Sequence, residues 1–322
     1  MPSNLPLVSV FMPCFNQERY VAEAMDSVLS QDYPNLELVV GDDCSTDGTW
    51  EIVRQYQDEH PTRIRAFRND RNLGITKNCN EILRRCTGKY IAFHAGDDLF
   101  LPGKLSTQVA AMERGGAVLG YHDIEVFDSK TNRTLSHWNS GPGSRTPVIG
   151  GCREVGRRVI EDGTSFMAAP AVMVLHAAVP PEGFDERIRV ASDWLMWIDV
   201  CNRGLGPVIY DPSVLARYRR HATNVTSDHM RYFDDELVVL ALAEYRYPNL
   251  AHSVAKARCR LQYRAAILHL AAGQERIGRY YLLRSMWNPK YTLKAPARWL
   301  LSVLGLTHLL EPNHTGSKAD VK

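Results

Sequence analysis

Two pairs of adjacent carboxylates follow apolar runs in this 322-residue chain. Asp97 and Asp98 lie in HAGDDLFLP, directly after KYIAF (residues 89–93). Asp42 and Asp43 lie in GDDCSTDG, directly after LELVV (residues 36–40). Like charges side by side repel, so a fold that keeps such a pair either supplies a cation or leaves both groups in water. Two more polar stretches stand in comparable places. PCFN (residues 13–16) ends the first apolar run, and RNLG (residues 71–74) precedes a helical pattern.

These residues need elements to position them. Residues 7–12 form a compact, β-branched apolar run that predicts a buried strand, and residues 36–40, 64–67 and 90–93 predict three more. Between them, residues 18–30 place Tyr20, Val21, Ala24, Val28 and Leu29 on one side of a helix. Thr46, Asp47 or Thr49 caps a helix through Trp50, Ile52, Val53 and Tyr56. Further helices are expected over 75–85 and 104–114. Strands alternating with helices argue an α/β sheet with parallel strands. In such sheets ligands bind outside the carboxyl ends of the strands, near a topological switch point. PCFN, GDDCSTDG, RNLG and HAGDD would then share one rim. Beyond residue 115 the pattern loosens. Residues 117–121 and 124–127 read as strands, 131–151 as a long loop or lid, 192–201 as a helix, and 232 onward as mostly helical with breaks near Pro248 and Asn288-Pro289.

Taken in order, the blocks VSVFMPCFNQERYVAEAMDSVLSQDYPNLELVVGDDCSTDGT, RNLG, YIAFHAGDDLFLP and SDWLMW resemble glycosyltransferase family 2 over residues 7–225. The resemblance implies a GT-A fold: α/β, with a Rossmann-like mixed, mainly parallel sheet flanked by helices and a C-terminal helical extension. It implies an inverting transfer of a sugar from a nucleoside-diphosphate sugar, UDP or dTDP favoured, to a hydroxyl. The acceptor would be a glycan or a polyprenyl-linked saccharide in cell-surface polysaccharide or O-antigen synthesis.

The resemblance also implies roles. Pro13, Phe15, Asn16 and Glu18 would meet the nucleotide from the first loop. Asp43 would hold the nucleobase, since a carboxylate accepts from an imide N–H. Asn72 and Gly74 would form the turn near ribose and diphosphate. In HAGDD, Ala95 replaces the first aspartate of the family motif. Asp97 would then be the first ligand of Mg2+ or Mn2+, with Asp98 supporting and His221, from YRRH and Asn224, as a further ligand. Asp193 would be the general base, its pKa lowered by a helix N-terminus and raised by a dry pocket of Trp194 and Trp197. Structural readings stand beside these: a solvated turn and cap for Asp42, Asp43 and Asp47, a plain turn for Asn72 and Gly74, an N-cap for Asp193, and a surface role for Lys77.

The formal charge is only +2, but it is unevenly spread. Residues 256–298 hold ten Lys or Arg against one acid, Glu275. Mixed with Leu, Tyr and Trp, that charge reads as basic amphipathic helices on an anionic membrane surface, with Trp287 and Trp299 at the interface. A helical cap with a solvated basic face is the alternative. No recognised nucleic-acid module accompanies the charge, so no nucleic-acid partner is expected. The seven cysteines include no CxxC and are odd in number, which argues against a disulfide framework or zinc signature. The N-terminus lacks a basic n-region and a long apolar h-region, so a cytoplasmic protein is expected, peripheral on the inner face of the membrane. Expected domains are a catalytic domain over 1–228, with a nucleotide-binding half to about 115, then a basic helical region over 229–311 and a disordered tail over 312–322. A non-catalytic sugar-nucleotide-binding partner subunit, suggested by Ala95, and a metal-dependent nucleotidyltransferase are the rival readings. PCFNQERY is not the Gly-rich basic loop the latter usually carries.

Overall fold

The first strand, β1 (Val8–Cys14), is flanked by β2 (Leu36–Asp42) and β4 (Tyr90–Phe93), and β2 pairs in turn with β3 (Ile64–Arg68), all in parallel. The residues of β1, β2 and β4 are buried almost throughout, as unbroken apolar runs in a sheet covered on both faces should be. The structure, a computed structural model, describes residues 5–222, 224, 229–286 and 294–303. The helices between these strands are α1 (Val21–Leu29), α2 (Thr49–Glu59) and α3 (Ile75–Leu83). On α1, Val21, Ala24, Met25 and Val28 are buried, the three-and-four spacing of one helix face. The spatial order β3-β2-β1-β4 reverses direction between β1 and β4. That gap is the switch point, and the loops after β1 and β4 border it.

After β4 come β5 (Leu99–Phe100) and α4 (Lys104–Gly115). The two expected strands over 117–127 are a single one, β6 (Leu119–Asp128). The stretch read as a lid carries β7 (Thr134–His137) and β8 (Gly150–Gly151). It is also pinned. Asn139 donates its backbone N–H to Asp123 (2.7 Å) and its side-chain amide to Phe166 O (3.0 Å), and Trp138 Nε1 donates to Ser165 O (3.0 Å). Next are α5 (Cys152–Asp162), β9 (Met173–Leu175), α6 (Ser192–Asn202) and β10 (Pro207–Arg220). β9 pairs antiparallel with both β4 and β6, whereas β10 runs parallel to β6 and antiparallel to β5. The sheet is therefore mixed, with the four parallel strands β3-β2-β1-β4 at one end.

α7 (His229–Arg246), α8 (Ala251–Ala271), α9 (Glu275–Ser285) and α10 (Lys294–Val303) complete the described elements. The chain divides into two compact units, one ending at Leu242 and one starting at Ala243. The second has its own small core of Ala266, Leu270, Leu282 and Ala295. Trp299, expected at a membrane interface, packs against that core instead. Trp287, the break at Asn288-Pro289 and the tail from 312 lie outside the described residues. None of the described helices is long and apolar enough to cross a membrane.

Candidate functional site

The loops at the switch point are bound to one another. His94 donates its backbone N–H to Phe11 O (2.9 Å), Gly96 to Pro13 O (3.3 Å), and Asp43 to Cys14 O (2.9 Å). Gly96 lies close against the first loop: a Cβ there would meet Gln17 Oε1 and lie 2.8 Å from Cys14 Sγ. On the first loop, Asn16 adopts a positive φ of 51°. Its Oδ1 accepts from the Thr46 backbone N–H at 2.8 Å, and its own N–H donates to Ser45 Oγ at 2.9 Å. Glu18 accepts from the Gly48 N–H at 2.8 Å. Asn16 and Glu18 therefore brace the first loop against the second. Phe15, on the same loop, is 44% exposed.

Asp42 and Asp43 separate in role. Asp42 is fully buried, accepts from Ser45 N (3.0 Å) and Ser45 Oγ, and has Arg68 Nε at 3.4 Å. Burial pushes its carboxyl up despite those bonds. Asp43 reaches the next loop. Its Oδ1 accepts from Leu73 N (2.8 Å) and Asn69 Nδ2 (2.9 Å), and its Oδ2 from Gly74 N (2.9 Å). Asn72 Oδ1 shares the Gly74 N–H at 3.0 Å. Gly74 stands at φ 84°, ψ 156°, a region only glycine occupies readily. Asp43 thus clasps the turn that carries Asn72 and Gly74. Lys77 is exposed.

Asp97 and Asp98 point to different neighbours. Asp97 Oδ2 lies 2.9 Å from His221 Nε2, with both side chains largely buried. Asn224 Nδ2 is 3.1 Å from the same imidazole nitrogen, and the Tyr20 ring packs on His221 at 4.9 Å. Asp98 is 2% exposed and accepts from the Arg219 backbone N–H at 3.0 Å. Burial first, then the Asp97 charge, raises its carboxyl well above the usual range. The Arg219 guanidinium donates to Asp97 O (2.7 Å) and Glu23 (2.6 Å), and lies over the rings of Tyr20 and Phe127. Sequence reasoning missed Arg219 and Glu23, although YRRH was itself a signal. Arg219 binds the HAGDD loop to the end of β10 and to α1.

The answer to the paired carboxylates is therefore local. Asp98 is buried against a backbone donor, and Asp97 lies against an imidazole. Among the described residues no group of three or more His, Cys, Asp or Glu could hold a metal ion. The Asp97–His221 pair does fit one whose remaining positions are filled by phosphate and water. A separation of 2.9 Å is that of adjacent ligands each about 2.1 Å from one octahedral ion.

Asp193 opens α6 and is partly buried. It accepts from its neighbour's N–H, Trp194 N, at 2.8 Å. Of the two opposed effects, burial wins and lifts its carboxyl to about 6. The segment before it is fixed from two sides. Thr76, on α3, donates to Ile188 O (2.6 Å) and lies 3.1 Å from Ser192 Oγ. Asp235, on α7, accepts from Val190 N (2.5 Å) and Ala191 N (3.3 Å), a brace no sequence motif announced. Cys79, on α3, is buried, and burial first, then the nearby charges of Asp193 and Asp43, push its thiol up.

The sequence matches the family model described as Glycosyl transferase family 2 over residues 9–174. It is 45% identical over 109 residues to the Putative glycosyltransferase EpsE of Bacillus subtilis, covering 34% of this chain and 39% of that protein. It is 33% identical over 125 residues to UDP-Glc:alpha-D-GlcNAc-diphosphoundecaprenol beta-1,3-glucosyltransferase WfgD of Escherichia coli, covering 39% and 48%. The match spans less than half of either relative. Among solved structures, the mannosyltransferase PcManGT from Pyrobaculum calidifontis, in complex with GDP-Man and Mn2+, superposes with a TM-score of 0.58. That alignment covers 96% of this chain and 89% of the other at 18% identity, a likeness of fold.

Proposed function

Because this chain belongs to glycosyl transferase family 2, we propose that it transfers a sugar, with inversion, from a nucleoside-diphosphate sugar to a hydroxyl of a glycan or lipid-linked saccharide in surface-polysaccharide synthesis. The observation that carries the reading is the Asp97–His221 pair at the switch point, 2.9 Å apart. WfgD, with its UDP-Glc donor and diphosphoundecaprenol acceptor, supports the donor and acceptor classes. PcManGT, holding GDP-Man and Mn2+, supports a divalent cation.

In this reading Phe15 offers a face to the base. The clasp of Asp43 on Leu73 and Gly74 holds the turn that faces ribose and diphosphate, and leaves Oδ2 a lone pair for a base N–H. Asp97 and His221 would hold Mg2+ or Mn2+. A divalent cation bound there would supply positive charge toward the departing diphosphate. Asp98 anchors β10 behind this pair. Asp193 accepts the proton of the acceptor hydroxyl as its oxygen attacks the anomeric carbon. The carbon–oxygen bond to the diphosphate breaks, and its electron pair leaves with the diphosphate. A single displacement with a single base inverts the anomeric centre. A carboxyl near 6 is ionised at neutral pH, yet more basic than an exposed aspartate. The reaction would take place at the cytoplasmic face of the membrane.

Calorimetric titration of UDP, dTDP and GDP, each with and without Mn2+, tests this. Binding of one of them, strengthened by Mn2+ and weakened in Asp97→Ala, is expected. A folded protein that binds none of the three overturns it and favours an altered donor site at Ala95.

A further inference from the structure

The basic charge of the second unit is sorted by helix face. α9 buries Gly278, Leu282 and Ser285. On its other side it leaves Arg276, Ile277, Tyr280, Leu283 and Arg284 exposed, with Ile277 at 45%, Tyr280 at 53% and Leu283 at 50%. The three apolar positions recur every third residue and so lie along one stripe. α10 repeats the division: Ala295 and Ser302 are buried, while Leu300 is 53% and Val303 45% exposed. Single exposed apolar residues need no explanation, but a stripe of them rimmed by cations does.

Charge decides what can cover it. Glu275 is the only acid over residues 251–303, and Arg279 holds it. Arg279 also donates to Ser302 (2.8 Å to Oγ), joining α9 to α10. Arg276 and Arg284 thus flank the stripe with no neighbouring carboxylate on their own helix face. A second copy of the same face would set arginine against arginine. A bilayer of anionic phospholipid answers both features, with phosphates for the arginines and an apolar layer a few ångströms deeper for Ile277 and Leu283. Tyr280 suits the headgroup level between them.

We propose that the outer stripe of α9, with the exposed side of α10, docks on an anionic phospholipid bilayer. The surface goes beyond the transfer reaction, and its test uses neither donor nor acceptor. Failure here therefore leaves the donor-binding result standing, and the reverse.

The test is co-sedimentation of the full chain with vesicles of phosphatidylcholine alone, or containing about one third phosphatidylglycerol, at low and high salt. Binding to the anionic vesicles, weakened by salt, is expected. Arg276→Gln and Arg284→Gln should each weaken it about fivefold. The double variant Tyr280→Ser, Leu283→Ser should abolish it while thermal unfolding stays unchanged, because both positions are exposed. Equal binding to neutral vesicles, no binding, or variants that bind like the parent would each overturn the proposal. So would a dimer in sedimentation velocity that Leu283→Ser dissolves, since a second copy would then own the face.

Discussion

At the scale of single residues, Asp193 sets stability against chemistry. Its carboxyl titrates near 6 in the folded chain and near 3.9 when unfolded. Below about pH 4 both states are protonated and the group contributes nothing to the pH dependence. As pH rises from there to about 6 the folded state holds the extra proton, so stability falls. Above 6 the full cost of the buried charge remains, about 3 kcal/mol. Asp193→Asn removes that cost. It should raise the melting temperature at about pH 8 and leave it almost unchanged near pH 4, as scanning calorimetry would read. The same substitution removes the proposed base. Transfer should fall at least about 100-fold while nucleotide affinity is kept. In the unsubstituted chain, kcat/KM of the proposed transfer should drop about tenfold per pH unit below 6. An Asn variant with undiminished transfer would eliminate Asp193 as base.

At the scale of elements, two clasps set the geometry of the rim. The first joins β2 to the turn before α3 through Asp43. Gly74→Ala forces a side chain into the φ 84° conformation and should cost about 1–3 kcal/mol. Asp43→Ala releases the same turn, so urea unfolding of the double variant should show a loss well short of the sum of the two. The second clasp is Arg219. Arg219→Met removes the guanidinium's bonds to Asp97 O and Glu23 while keeping the backbone bond to Asp98. The Mn2+-dependent part of nucleotide binding should weaken about tenfold, with metal-free binding unchanged, in the same titrations. A loss of both parts would mean that Arg219 merely supports the fold. These clasps also mark how far the sequence could be read. The parallel strands were legible because each is an unbroken apolar run ending in turn residues. β9 and β5 were not, since three and two residues carry no period. Nor was β10, whose Asp211, Arg217, Arg219 and Arg220 disguise a strand held mainly by pairing with β6. Asp97, Asp43 and Asp193 could be picked out by type and position. That Asp98 turns inward to the Arg219 N–H, and that Asp43 spends most of its acceptors on backbone, are three-dimensional facts that spacing does not encode.

For the whole molecule, charge and chemistry belong to different parts of the chain. With +9 on residues 256–298 and +2 overall, the rest of the protein is net acidic. An acidic body gains nothing from an anionic surface, so salt-sensitive adsorption should come from the second unit alone. Ligand footprints should then be separable by hydrogen exchange on the intact chain. UDP with Mn2+ should slow exchange at backbone amides of residues 14–18, 72–76 and 94–98, the loops bound together at the switch point. Anionic vesicles should slow it over 276–286 and 294–303, with the first set unchanged. High salt should erase the second footprint and spare the first, because the nucleotide would be held by short, partly buried contacts and the bilayer by exposed arginines. Nucleotide protection confined to α9 and α10 would refute the placement of the donor at the carboxyl ends of β1, β2 and β4. Vesicle protection spread over the rim loops would refute the division of labour, and would make the rim itself the anionic binding surface.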